Sequence, residues 1–410
     1  MFLLISTNLY AVDKYVRKGA SGSGTSWSDA WDDLDDVSWT GLGGYTLWIA
    51  AGSYTGQLTT INTANVTVKR ATVENHGTET GWSAAYDDQV TVNPSANFLV
   101  ISSGADGLTL DGVSNNPWKF RVVGISGYNG MLRNDGADSV TIRNIEFDGN
   151  SENPGGTNSF EDGLRWMGGS DAIIEYCYIH DYRQVGDEHM DGVQGPAGTD
   201  ITFRYNIFMN NGMHLFLGDY EWNASFVVDG ASIHHNLFYN ESGITASNSY
   251  NTIVFKGLDS SADHPTLIEN NTFTVRSSEA QAEGYRMIIV DSGGNDFTYG
   301  YFRNNILYDA TLGWVEALNN SYNSYYLSGT PPGETGEVTT NPLFTSYAGN
   351  DFTLQSGSPC KFTGTDLAYD TDILGVTIPD SPSMGAYEYD AGGAPSIIKK
   401  IMTFFRRLRG

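Results

Sequence analysis

Acidic, basic and amide side chains crowd one short run of this chain, Asp187-Glu188-His189-Met190-Asp191-Gly192-Val193-Gln194. On extended backbone, residues two apart face the same side, so His189 and Asp191 share a face. A histidine oriented by carboxylates can accept a proton as a general base, or carry a charge that neutralises an anionic substrate. Two related phrases flank the run: Asp162-Gly-Leu-Arg165 upstream and Asn211-Gly-Met-His214 downstream. Aligned on their glycines, the three place Leu164, Val193 and Met213 inward. Arg165, Gln194 and His214 then point outward and stack on three neighbouring segments.

Three chemistries compete for these residues. A β-eliminating lyase needs a base beside a uronate whose carboxylate charge has been neutralised, and His189, Arg165 and His214 are the candidates, with Asp191 orienting the histidine. Neutralisation would come from a cationic side chain or from calcium, for which Asp162, Asp187, Glu188 and Asp191 offer hard oxygen ligands. Gln194, Tyr182 and Arg183 are the expected substrate contacts. A glycoside hydrolase needs two carboxylates ~5–5.5 or ~6.5–9.5 Å apart, and Asp162 paired with Asp191, Asp187 or Glu188 covers both spacings. The third reading is a non-catalytic glycan-binding or spike-like surface protein, in which Tyr182, Phe216, Tyr220 and Trp222 stack on sugars.

The elements that hold these residues are set by a repeat. Six phrases recur: IRNIEF (142–147), IEYCYI (174–179), FRYNIF (203–208), IHHNLF (233–238), IENNTF (268–273) and FRNNIL (302–307). Equating Ile145, Cys177, Asn206, Asn236, Asn271 and Asn305 gives steps of 32, 29, 30, 35 and 34 residues. A unit of this length cannot bury its apolar face alone and must stack on its neighbours. Each phrase alternates apolar with polar residues and is rich in Ile, Phe and Tyr, so it predicts a strand. Strands returning every ~30 residues in one direction predict an all-β parallel β-helix that rises ~4.8 Å per coil. Four successive asparagines at one inward position predict a ladder of stacked amides, with Cys177 replacing an amide in it.

Ahead of the repeats, the capping residues Thr25 and Ser26 precede Trp27, Ala30, Trp31, Leu34 and Val37 at helical spacing, which predicts a short N-terminal helix closing the open end. TLWIAAGSYTGQL (46–58) reads as strand, glycine turn and strand, and residues 341–389 as a closing cap. The β-helix domain spans 13–390. The apolar run 1–11 is like the end of a secretory signal, so export to the cell surface or beyond is expected. Residues 391–410 form a linker and a basic tail in which Ile397, Ile398, Ile401, Met402, Phe405 and Leu408 recur at helical spacing. That tail is the one segment suited to a membrane interface.

The 410 residues carry a net charge of −26. Five of the 22 basic residues follow Asp390, the last acid, which leaves the body with 17 basic against 48 acidic residues, or −31. Such a body repels nucleic acid and attracts divalent cations. The two cysteines, Cys177 and Cys360, read as small buried hydrophobes rather than a disulfide.

The AAGSYTG strand, the I-x-x-N-x-F coils and the closing SGSP…GAYE segment together resemble the pectin-lyase-like superfamily of secreted right-handed parallel β-helix proteins, over nearly all of 13–389. The resemblance implies right-handed coils and a polysaccharide partner. It spans lyases, hydrolases, uronan epimerases, carbohydrate esterases and tailspikes. The Asn-Thr-Asp, Asp-Asp and Gly-His-Gly set of the polygalacturonase-like hydrolases is missing, as is the epimerases' Asp-Pro-His-Asp. A lyase acting on an acidic glycan is the leading expectation, with hydrolase and binder as alternatives.

Overall fold

The computed structural model describes residues 13–115, 117–124, 130–149, 162–182, 190–219, 223–241, 251–275, 286–290, 296–309 and 318–390. Each regular coil contributes three short parallel strands to three walls. One coil shows the pattern. Leu164–Ser170 lies in the first wall, Ile173–Glu175 in the second and Tyr178–His180 in the third. Its neighbours pair in parallel register, Leu132 with Leu164, Ile142 with Ile174 and Phe147 with Ile179. In the next coil the long strand Asp191–Arg204 runs through both the first and the second wall, joining them into one sheet. The third wall is a separate ten-stranded sheet among the described residues.

Each repeated phrase is two strands and not one. Asn144, Tyr176, Tyr205, His235, Asn270, Asn304 and Tyr322 each adopt a φ between 50° and 59°, a left-handed corner that turns the chain from the second wall into the third. The alternation is therefore real on both sides of a corner that a straight period-2 reading cannot see.

Immediately after each corner lies the ladder. Asn206, Asn236, Asn271, Asn305 and Asn323 are all fully buried. The Oδ1 of Asn236 accepts from the backbone N–H of Asn206 at 2.9 Å and from its Nδ2 at 3.1 Å, while the Asn236 Nδ2 donates to the Phe203 carbonyl at 2.8 Å. Asn271, Asn305 and Asn323 repeat this one coil further on. Cys177 donates its backbone N–H to Asn206 Oδ1 at 2.9 Å, so the ladder runs one rung past its last amide. At the other end Glu334 Oε1 accepts from both nitrogens of Asn323, at 2.7 and 2.8 Å. Both cysteines are free and buried.

The interior of the third wall is a column of Phe147, Ile179, Phe208, Phe238, Phe273 and Leu307, none more than 1 % exposed. Phe208, Phe238 and Phe273 stack nearly parallel, with centroids 4.9 and 5.0 Å apart. In-register coils dictate this: identical positions stack face to face, and the pairs add to the apolar burial.

Two terminal expectations are corrected. The N-terminal amphipathic stretch forms two 3-10 turns, Trp27–Asp29 and Leu34–Asp36, rather than an α-helix. Trp27, Ala30 and Leu34 are buried as its spacing predicted, but the extended conformation of Ala30 breaks the helix between them. Residues 341–389 run along the outer face of the third wall. There Phe344, Phe352, Leu354, Ile373, Met384 and Tyr387 form an apolar cluster with Ile207, Met209, Leu237 and Tyr239. Polar columns of the third wall would stay exposed, so an apolar outer column requires such a cover.

Candidate functional site

On the first wall, register places Arg133 beside Arg165 and Arg165 beside Gln194. Their alternation with buried Leu132, Leu164 and Val193 directs all three side chains outward. The column continues as Phe216 and Val254, which pack with Met213 and are buried. One stripe thus passes from two guanidinium groups through an amide to an apolar patch. Arg133 was not singled out by the sequence, although its place one coil before Arg165 could have been counted from the repeat.

Asp162 and Asp191 sit at the start of the two central strands. Asp162 Oδ1 accepts from the backbone N–H of Asp191 at 3.0 Å, and Arg165 Nη1 lies 3.9 Å from Asp162 Oδ2. Asp162 is 6 % exposed and Asp191 fully buried. Gln194 is 9 % exposed, and its Oε1 has no hydrogen-bond partner.

Two expected members of the site are elsewhere. Asp191 pairs with Met213, not with Asn211, so the glycine alignment of the third phrase is off by two residues. His214 also turns into the core, 1 % exposed, between Phe208 and Phe238, with its Nδ1 3.2 Å from Asn211 Nδ2. Burial drops its pKa to about 3, which removes it as a charged or surface base. Tyr182 is fully buried, its ring lying under Gly163, where an added Cβ would come within 2.9 Å of it. It cannot contact substrate. Arg183, Asp187, Glu188 and His189 lie outside the described residues.

Calcium is tested by the same geometry. Of its four expected ligands Asp162 and Asp191 are described, and the Asp162 carboxylate already serves the Asp191 N–H and approaches Arg165. Two carboxylates are compatible with a calcium shell and far short of the 6–8 oxygens such a shell takes.

A second polar cluster, absent from the sequence reading, lies on the outer face of the third wall: Arg121, Glu146, Asp148, His180 and Asp181. The repeat did carry a signal for it, since Asp148 and His180 occupy one position of successive phrases and pair in register.

The model of a right handed beta helix region matches residues 61–259. The solved structure of pectate lyase Pel9A aligns with 93 % of this chain and 98 % of its own, at 14 % identity and a TM-score of 0.52. The fold is a right-handed parallel β-helix. A pectin methylesterase structure from Aspergillus niger is also similar, covering 77 % of this chain and 90 % of its own at 14 % identity, with a TM-score of 0.28. No curated protein matches the sequence. On this fold, activity is set by the side chains that a wall displays and not by the wall itself.

Proposed function

We propose that this β-helix acts on polysaccharide, and specifically that it cleaves a uronate-containing glycan by β-elimination on the first wall. The observation that carries the reading is the outward stack of Arg133, Arg165 and Gln194 on three successive coils, flanked by Asp162. Rungs ~4.8 Å apart match the scale on which a polymer presents repeated carboxylates, and guanidinium groups pair with carboxylates through two parallel hydrogen bonds.

In the proposed reaction a base removes the proton on the carbon next to the uronate carboxylate. The electron pair forms a C=C bond, the neighbouring C–O glycosidic bond breaks, and the leaving oxygen gains a proton. Arg165 and Arg133 stabilise the charge that builds on the carboxylate; their guanidinium groups keep their protons, so neither is the base. Gln194 orients the sugar. His189 is the remaining candidate base. Calcium held by Asp162 with Asp187 and Glu188 would supply further charge neutralisation to an acidic polymer meeting an acidic protein. Pectate lyase Pel9A, by its name, acts on pectate, an acidic polymer, and shares the fold. Export to the medium, as residues 1–11 suggest, would bring the protein to such a polymer.

Incubation with a panel of uronate polymers, with and without chelator, tests this. An ultraviolet-absorbing unsaturated product supports the lyase. Reducing ends without unsaturation would mean a hydrolase, and retention in a glycan-containing gel with no product would mean a binder.

A further inference from the structure

The cluster on the third wall has a different composition from the first-wall stripe and does different chemistry. Glu146 and Asp148 come from one strand, Glu146–Asp148, and His180 from its in-register neighbour, Tyr178–His180. One nitrogen or oxygen from each lies within 4.8 Å of the others, and all three residues are buried. His180 Nε2 is 3.3 Å from Glu146 Oε1, and its Nδ1 is 2.9 Å from Asp181 Oδ2. Arg121 enters from the preceding coil, with Nε 3.4 Å from Glu146 Oε1 and Nη2 on Asp148.

One fact sets this group apart from an ordinary ion-pair network, an orphan atom: Glu146 is fully buried, and its Oε2 has no hydrogen-bond partner. A carboxylate oxygen removed from water without a partner costs several kcal/mol unless a cation faces it.

We infer that Glu146, Asp148 and His180 form a binding site for a divalent transition-metal cation. His180 Nε2 supplies the nitrogen ligand. Asp181 holds the other ring nitrogen, in the carboxylate–histidine–metal arrangement that fixes tautomer and ring orientation. One imidazole and two carboxylates suit zinc or manganese better than calcium, which takes oxygen ligands in larger number. Zinc bonds of ~2.0–2.2 Å at tetrahedral angles set ligand atoms ~3.3–3.6 Å apart, so side-chain rotations must draw the three groups together to close the shell. Stacking of Tyr178 on His180, with centroids 3.9 Å apart, limits the ring to small movements.

The position gives the site a use. Asp148 and Asp181 stand where the chain leaves the third wall on its way to Asp162 and to Asp191 respectively. A bound cation would tie both departures to one point.

The test uses the full-length protein, stripped with chelator and dialysed against zinc. About one zinc per chain should be retained, with a rise in the thermal transition. The near-isosteric Glu146→Gln and His180→Gln should lose at least ~10-fold in zinc affinity, and Asp181→Asn ~10–100-fold. Cobalt in place of zinc should give visible absorption that changes in Asp181→Asn, a readout that a merely structural role would not move. Arg165→Ala should bind zinc normally, so failure of the lyase reading and failure of this one are separable. Absence of zinc binding, calcium binding in its place, or zinc binding unaltered in folded Glu146→Gln and His180→Gln would each overturn the inference. Circular dichroism identifies any variant that fails to fold, and Asp181→Asn then decides.

Discussion

Asp162 accepts the backbone N–H of Asp191 across two coils at 3.0 Å while its other oxygen lies 3.9 Å from Arg165 Nη1. One carboxylate therefore does two things, closing a backbone hydrogen bond between rungs and steadying a cation of the outward stripe. Asp162→Ala should lower stability by about 1–3 kcal/mol in denaturant titration, since it removes a buried acceptor. Asp162→Asn keeps an acceptor oxygen and loses only the charge. It should remain near wild-type stability while weakening turnover of the glycan, and equal stability losses in the two variants would contradict the double role.

His214 gives a sharper discrimination between the sequence reading and the structure. Being buried between Phe208 and Phe238 with a pKa of about 3, it stays neutral over the usual working range. His214→Gln should leave the pH profile of cleavage unmoved, whatever it does to the thermal transition. A profile that loses its basic or acidic limb in this variant would return His214 to the reacting centre.

The amide ladder should behave as a set of shared bonds. Asn236→Ala removes the acceptor of two Asn206 nitrogens and the donor to the Phe203 carbonyl. With buried groups left unpaired, a loss of roughly 3 kcal/mol is expected. Urea or guanidinium denaturation measures it, and a loss below about 0.5 kcal/mol would mean that the ladder contributes little.

Asp372 gives a pH dependence whose sign can be worked out. Burial raises its pKa from 3.8 to about 6, against the pull of hydrogen bonds from the Val376, Glu388 and Leu374 backbone. A folded-state value above the unfolded one favours the protonated native carboxyl. The stabilisation is complete below about pH 4 and is lost as pH rises through about 6. Two units correspond to about 3 kcal/mol. The difference in thermal stability between the wild type and Asp372→Asn should therefore change between pH 4 and 6 and be flat above 7. A flat difference throughout would contradict the assignment.

Much of the architecture was legible because a coil must repeat. The equivalence of Cys177, Asn206, Asn236, Asn271 and Asn305 in sequence became a chain of hydrogen bonds in space, and the adjacency of Arg165 and Gln194 followed from the same count. What sequence periodicity cannot convey is where the chain turns. The left-handed residues at Tyr176, Tyr205 and His235 look like ordinary strand positions, so two strands were read as one. His214 departs from its expected place because the strand that carries it breaks the simple alternation: Met213 and Phe216 pack together apart from the core, and His214 between them turns inward. Tyr182 was misplaced because an aromatic after a polar phrase reads equally well as a sugar platform or as a plug beneath Gly163. The third-wall cluster was overlooked for another reason: Glu146, Asp148 and His180 are scattered over 34 residues and only register gathers them.

Parallel incubation of the wild type, Arg165→Ala and Arg133→Ala with uronate polymers, followed by absorbance of the unsaturated product, tests the proposed function most directly. The wild type should accumulate product, and Arg165→Ala should slow it on the order of 10²-fold, as expected when one preorganised stabiliser of developing charge is removed. Arg133→Ala should be slower than the wild type by a smaller factor. Undiminished product from Arg165→Ala, or no unsaturated product from the wild type on any polymer of the panel, would contradict a lyase centre on this wall.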